Sequence, residues 1–327
     1  MTLQQLKYLR EVVRHDFNIS RAASSLQLSQ PGLSRQLQLL EEHLGVELFV
    51  RNSKRLVRLS EAGTTIFALT ERLLKEEENI NAAATEFSSK NRGDLTVATT
   101  HTQARYALPE VLRRFSARFP DVRISLRQGT PMEVAELVRS GNADISIAAE
   151  PVHAVGELVM LPCYKLHRVL LVPIGHPLRR KKQLTLETLV GYPLITYDFA
   201  FIARSKIVHA FARKGLTPNI VLNAIDADVI KTYVEFGLGI AVIPAMAFDP
   251  KKDKGLRAID ASHLFEPNTI HVGIRQNHYL RSYAYAFIEM FAPHLTRLRV
   301  EQAIRDAISR GKAAQARLPD FTVSLRN

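Results

Sequence analysis

The amino-acid sequence predicts an α/β protein headed by a small, separate helical module. Three patterns carry this reading. Up to about residue 59, apolar side chains recur at three- and four-residue steps between helix-capping signals. From Ser60 a single long amphipathic stretch runs to about Ser88. Beyond residue 94, short apolar runs alternate with helical segments, the order expected of parallel βαβ units.

Thr2 and Gln5 form a candidate capping box opening a first helix, with Leu3, Leu6, Leu9 and Val13 on its inner face. Ile19 to Leu44 then reads as two short helices joined by a tight turn. The small residues Ala22 and Ala23 let the second helix cross closely. Ser29 is a good N-cap, and Pro31 sits in the first turn, where its missing N–H costs little. Leu33, Leu37, Leu40 and Leu44 share one face of the second helix. Arg35 and Gln38 point the other way, with Gln30, Pro31 and Ser34 at its start and edge. Arg, Gln and Ser side chains can pair with base edges, so this is the pattern of a helix-turn-helix. Phe49 to Leu59 is apolar at both ends with a basic tip, as in a two-stranded wing, and it sets Arg51, Lys54 and Arg55 to meet phosphates. Through Arg58, nine basic residues outnumber five acidic ones by four, which favours duplex DNA over a plain helix pair.

At 327 residues the chain has room for two or three domains, each with a core of its own. A net charge of +12 favours a polyanionic partner or an anionic ligand. The single cysteine, Cys163, excludes an intrachain disulfide and fits a reducing cytosol. The opening residues lack the apolar core of a signal peptide, and no apolar run approaches the ~18 residues of a membrane span. The expectation is a soluble cytoplasmic protein with no membrane partner.

Within the long stretch, Ile66, Leu69, Leu73, Ile80, Ala83 and Phe87 form a stripe that wants a partner helix, so residues 60–89 read as a dimerisation linker following a 1–59 head, with a helix packed on its own domain as the alternative. Ser88 to Gly93 mark a hinge. Strands are expected at Leu95–Ala98, Val122–Leu126 and Ala143–Ala148, with helices at Ala104–Ala117 and Met132–Ser140 between them. A second unit of strands and helices begins near Cys163. Thr269–Arg275 returns as a strand to the first, followed by a helix at Leu280–Phe291. This divides the region into one lobe of 90–162 and 266–297, a second of 163–265, and an unassigned amphipathic tail of 298–327. A strand ending at Ala98 delivers Thr99 to Gln103 to a helix start, where free N–H groups and the positive end of the dipole collect. That is a site for a small oxyanion or carboxylate, although simple capping by Thr100 or Thr102 would explain the same residues.

On the segments Ala98–Pro109, Leu158–Tyr164, Asp226–Val234, Arg281–Tyr283 and Phe291–Thr296 the chain resembles the LysR-type transcriptional regulators, in particular their CysB-like branch. The resemblance spans essentially the whole length. It implies a periplasmic-binding-protein-like effector domain of two lobes with the ligand between them, and a homodimer or homotetramer that contacts RNA polymerase. It also implies a role in sulfur assimilation and cysteine biosynthesis, with O-acetylserine, N-acetylserine, sulfate or thiosulfate as effector. It carries anion binding onto Thr100, Thr102 and Gln103, and Thr196 and Tyr197 could serve from the far wall. CysB-like sequences have threonine where this chain has Ala149 and Ile202, and an aromatic after Tyr164 where Lys165 and Leu166 stand. Those differences leave open a LysR-type regulator of sulfonate or aromatic metabolism.

Other chemistry finds little support. Gly237 and Gly239 lack the third glycine of a dinucleotide loop and turn a helix into a strand. The eleven histidines show no metal-ligand spacing, no catalytic serine elbow is present, and no cofactor is implied. Cys163 reads as a packed thiol, and the Asp226/Asp228 pair as helix capping. An enzyme is therefore not expected. A solute-binding protein would share the two lobes, but the basic head argues against it.

Overall fold

The computed structural model describes residues 1–52, 55–88, 91–149, 158–198, 202–276, 278–310 and 320–321. The chain forms two compact units, Met1–Ser88 and Ser89–Asn327.

The first unit holds α1 (Leu3–Arg14), α2 (Ile19–Ser25), α3 (Gln30–Leu44), β1 (Phe49–Asn52), β2 (Arg55–Leu59) and α4 (Glu61–Ser88). Thr2 and Gln5 close the expected capping box, and Ser29 caps α3 by accepting from Gly32 N at 3.2 Å. Leu6, Leu9, Ala22, Leu33, Leu37 and Leu40 fill the core, while Leu44 is half-buried at its edge. Val12 is buried where the periodicity had suggested Val13, and Leu3 is exposed. β1 and β2 pair antiparallel from Phe49–Leu59 to Asn52–Arg55, which makes the wing.

α4 carries two apolar faces. Ile66, Phe67 and Leu74 pack into the core of the first unit, and Lys7–Glu77 at 2.7 Å and Arg10–Glu78 at 3.1 Å tie α1 to the same face. Ile66 therefore belongs to the head, whereas Leu69, Leu73, Ile80 and Phe87 stay exposed on the other side. Gly63 has a steric reason. A Cβ there would stand 1.9 Å from the Leu48 carbonyl oxygen, so only glycine lets the helix start pass the chain entering the wing.

The second unit contains two sheets. The first has the order β13-β6-β12-β5-β3-β4 and the second β11-β7-β10-β8-β9. The first lobe comprises β3 (Gly93–Thr99), a π-helical turn (Gln103–Ala107) running into α5 (Leu108–Arg118), β4 (Val122–Gln128), α6 (Pro131–Arg139), β5 (Ile145–Ala149) and β6 (Leu158–Leu166). The second comprises β7 (Arg168–Pro173), α7 (Leu186–Val190), β8 (Leu194–Tyr197), α8 (Ile202–Ala212), β9 (Ile220–Ala224), α9 (Ala227–Glu235), β10 (Ile240–Pro244) and β11 (Leu256–Asp260). β12 (Asn268–Arg275), α10 (Ser282–Phe291), α11 (Arg297–Arg310) and β13 (Asp320–Phe321) return to the first lobe.

The expected parallel βαβ pattern holds for β3 with β4 and β5, and for β8 with β9 and β10. The strands on either side of the crossings between lobes run against their neighbours. β7 is antiparallel to β10 and β11, and β12 to β5 and β6. Two expectations need correcting. Cys163 does not begin the second lobe. The apolar run Leu158–Leu166 is one strand of the first sheet, paired along β12, and the chain crosses only at His167. Nor do the described residues beyond 297 form a separate tail. α11 sets Val300 and Ala307 into the core of the first lobe, and β13 lies parallel to β6. No helix among the described residues is long and apolar enough to cross a membrane.

Candidate nucleic-acid interface and interlobe cleft

On α3, Gln30, Pro31, Arg35 and Gln38 are exposed and Ser34 is half-buried, opposite the buried leucines. The recognition face read from the spacing is thus open to a partner. Arg35 lies 3.3 Å from Glu42, an exposed pair that offers little resistance to exchange for a base edge. Arg51 is more committed. Its guanidinium contacts Glu41 at 2.7 Å, and Glu41 also accepts from the Leu48 and Phe49 backbone N–H groups at 2.8 and 3.3 Å. Glu41 went unforeseen because its partners lie on a different element. Arg55 is exposed on β2, and Lys54 lies outside the described residues.

In the second unit, β3 ends at Thr99, whose hydroxyl donates to the Ile147 carbonyl at 2.7 Å and so serves the sheet. The chain then turns through His101 and Thr102 into the π-helical stretch, in place of the plain helix expected from Ala104. Such widened turns concentrate at functional sites because they re-aim side chains. Thr100, Thr102, Gln103, Tyr197 and Asn268 are the polar wall of a cavity of about 50 Å³, and Pro131, Ala149, Leu166, Pro244 and Ile270 are its apolar wall. Both lobes contribute. Tyr164 donates its hydroxyl to Gln103 Oε1. Burial pushes the Tyr164 phenol far up, so it remains protonated and remains a donor. With the amide oxygen held, the two N–H donors of Gln103 are left for the cavity.

The remaining expected residues divide. Ala149 lines the cavity as a methyl surface. Thr196 precedes Tyr197 on β8, is fully buried, and stands outside the lining with its hydroxyl unpartnered. Ile202 begins α8, and its side chain lies outside the described residues. Asn268, a buried amide whose Oδ1 has no partner, escaped the sequence reading because nothing in its local context sets it apart.

A second junction spans the cleft. Tyr106 donates to Asp228 Oδ1 at 2.7 Å, Arg105 Nε lies 2.8 Å from Oδ2, and Lys231 Nζ lies 3.3 Å from Oδ1 and 3.1 Å from Asp253. Burial alone would raise the Asp228 carboxyl, but the Tyr106 hydrogen bond together with Lys231 and Arg105 holds it below the ordinary aspartate value of 3.8. The stability this adds is present above that value and fades only as pH falls below it, so Asp228 stays ionised near neutrality. Capping thus accounts for Asp226, whose carboxylate accepts from Val229 N at 2.8 Å, but not for Asp228. His101, Asp226 and Asp228 bring donor atoms within 4.8 Å of one another. Two cations already neutralise Asp228, so this is an ion-pair junction in character. Cys163 is buried in β6 with its thiol pushed up to about 12 by burial, which leaves it a packing group.

Comparison with known proteins follows the same division. Residues 3–64 match the bacterial regulatory helix-turn-helix protein, lysR family, and residues 88–296 match the LysR substrate binding domain. The sequence is 48% identical over 308 residues to the HTH-type transcriptional regulator SsuR of Burkholderia cenocepacia, spanning 94% of this chain and 100% of that protein. It is 48% identical over 305 residues to the regulator CysB of the same organism, spanning 93% and 97%. The structure is similar to the crystal structure of the cofactor-binding domain of the Cbl transcriptional regulator, with a TM-score of 0.63 and 45% identity over 65% of this chain and 93% of that one.

Proposed function

The chain belongs to the LysR family of bacterial transcriptional regulators, and from that premise we propose that it adjusts occupancy of sulfur-assimilation promoters in response to a small anion held between its lobes. The observation that carries this is the cavity itself. Hydroxyls of Thr100 and Thr102 and the oriented amide of Gln103 meet at a helix start, where developing backbone donors favour negative charge. At roughly 10–15 Å³ of such space per water, about 50 Å³ takes on the order of three to five water-sized groups. Sulfate or thiosulfate fits that room better than O-acetylserine or N-acetylserine. Likeness to SsuR and CysB supports the sulfur setting. The apolar wall of Ala149, Leu166 and Ile270 favours, as a second reading, a small organic sulfonate.

The head binds duplex DNA in the cytoplasm. Gln30, Ser34, Arg35 and Gln38 read base edges from α3 beside Pro31, while Arg55, Lys54 and an Arg51 released from Glu41 hold phosphates. The exposed face of α4, with Leu69, Leu73, Ile80 and Phe87, pairs with the same face of a second copy, and two such dimers give the tetramer that the family resemblance implies. Contact with RNA polymerase completes activation. Ligand in the cleft favours one interlobe arrangement and so shifts promoter occupancy.

Thermal-shift measurements with sulfate, thiosulfate, O-acetylserine, N-acetylserine and adenylyl sulfate test the cleft. A rise in melting temperature with sulfate or thiosulfate, accompanied by an altered operator footprint, is expected. Silence with all five alongside intact operator binding would assign the protein to another pathway. For the head, Arg35→Ala weakens specific operator binding by about 1–3 kcal/mol and relaxes one base position. A gel-shift series over single-base operator variants checks this, and an equal loss on every sequence would remove Arg35 from base readout.

A further inference from the structure

Arg168 opens β7, and with 2% of its surface exposed it is the largest fully buried side chain among the described residues. Its Nε and Nη1 find no hydrogen-bond acceptor, and no carboxylate among the described residues pairs with it. Burial draws its basicity down to about 10, so at neutral pH it is still a cation. An interior guanidinium without an anion is unusual, because desolvation of the charge goes uncompensated.

The surroundings show what this charge faces. Arg168 pairs across the sheet with Pro244, and Leu166 precedes it by two residues; both line the cleft cavity. Its charge acts on the Tyr197 phenol, a third lining group, which Thr102 also reaches from the first lobe. Strand alternation sets Arg168 on the face of Leu170 and Val172, and Thr196 on the face of Leu194; all three apolar residues belong to one core. Thr196 Oγ1 is likewise buried and unpartnered. Two unmet polar groups thus share one face of the second-lobe sheet, two strands apart, beside a cavity whose own polar groups are all neutral.

We infer that Arg168, assisted by Thr196, is the countercharge for the effector, neutralising from the second lobe an anion whose oxygens Thr100, Thr102 and Gln103 hold from the first. The effector is therefore a formally charged oxyanion that joins the lobes, and neutral isosteres are rejected. This rests on the anion reading of the cleft.

The test measures two properties of full-length Arg168→Met. Its ligand-free melting temperature should equal or exceed that of the wild type, because an uncompensated charge has been removed. Its affinity for sulfate and thiosulfate by titration calorimetry should fall roughly 10- to 100-fold. Arg168→Lys, which keeps the charge, should recover part of that affinity. A ligand-free Arg168→Met that melts below the wild type, or does not fold, overturns the inference, because the guanidinium would then be serving the fold. Wild-type affinity in the variant also overturns it while leaving the cleft reading intact. If the wild type binds neither anion, the cleft reading fails and this inference with it.

Discussion

Replacing Gln103 with alanine is expected to abolish the effector response and leave operator binding unchanged. Gln103 is 1% exposed, its carbonyl is occupied by Tyr164, and its amide donors are the strongest neutral contacts the cavity can offer an anion. Hydrogen bonds to a charged group contribute about 1.5–3 kcal/mol each, so losing even one costs the ligand roughly one to two orders of magnitude in affinity. Tyr164 loses this acceptor at the same time, which destabilises the effector domain by about 1 kcal/mol. Tyr164→Phe separates the two effects. It keeps the amide but lets it turn, and a partial loss of affinity is expected. Calorimetry for the anion beside footprinting of the operator makes the measurement. An unchanged, ligand-sensitive footprint in Gln103→Ala would remove this residue from the site.

The other large effect falls on the head. Gly63→Ala brings a methyl to 1.9 Å from a backbone oxygen, a clash that no side-chain rotation relieves. Overpacking of this kind costs about 1–3 kcal/mol and more where only backbone can yield. Because Met1–Ser88 and Ser89–Asn327 are separate compact units, the loss should appear in one of two unfolding steps. Operator binding should weaken with that step, while anion affinity, a property of the second unit, stays at the wild-type level. A single unshifted transition would mean that α4 starts differently from the structure described above.

What the sequence made legible was whatever a local pattern encodes. Thr2 with Gln5, Ser29, and the leucines at 33, 37 and 40 reported their caps and their core face directly, since capping and periodicity act within a few residues. The cradle residues Thr100, Thr102 and Gln103 were legible for the same reason, lying in one short turn after a strand. Contacts between distant segments were not. Glu41 with Arg51, Tyr164 with Gln103, and Asp228 with Tyr106 each join elements whose proximity only the tertiary fold decides. The lobe boundary was misplaced because Leu158–Leu166, apolar but for Lys165, looks the same whichever sheet it enters. β11, a short edge strand with Arg257 and Asp260 among its five residues, gives too weak an alternation to stand out.

The two passages between lobes lie side by side. Leu166 ends the outgoing strand, Asn268 begins the returning one, the two are register partners, and both line the cavity. Whatever fills that space therefore works at the fulcrum and not at the rims of the jaws. In the proposed mechanism a ligand there acts where the lobes join, so that a small displacement is carried along the length of each sheet.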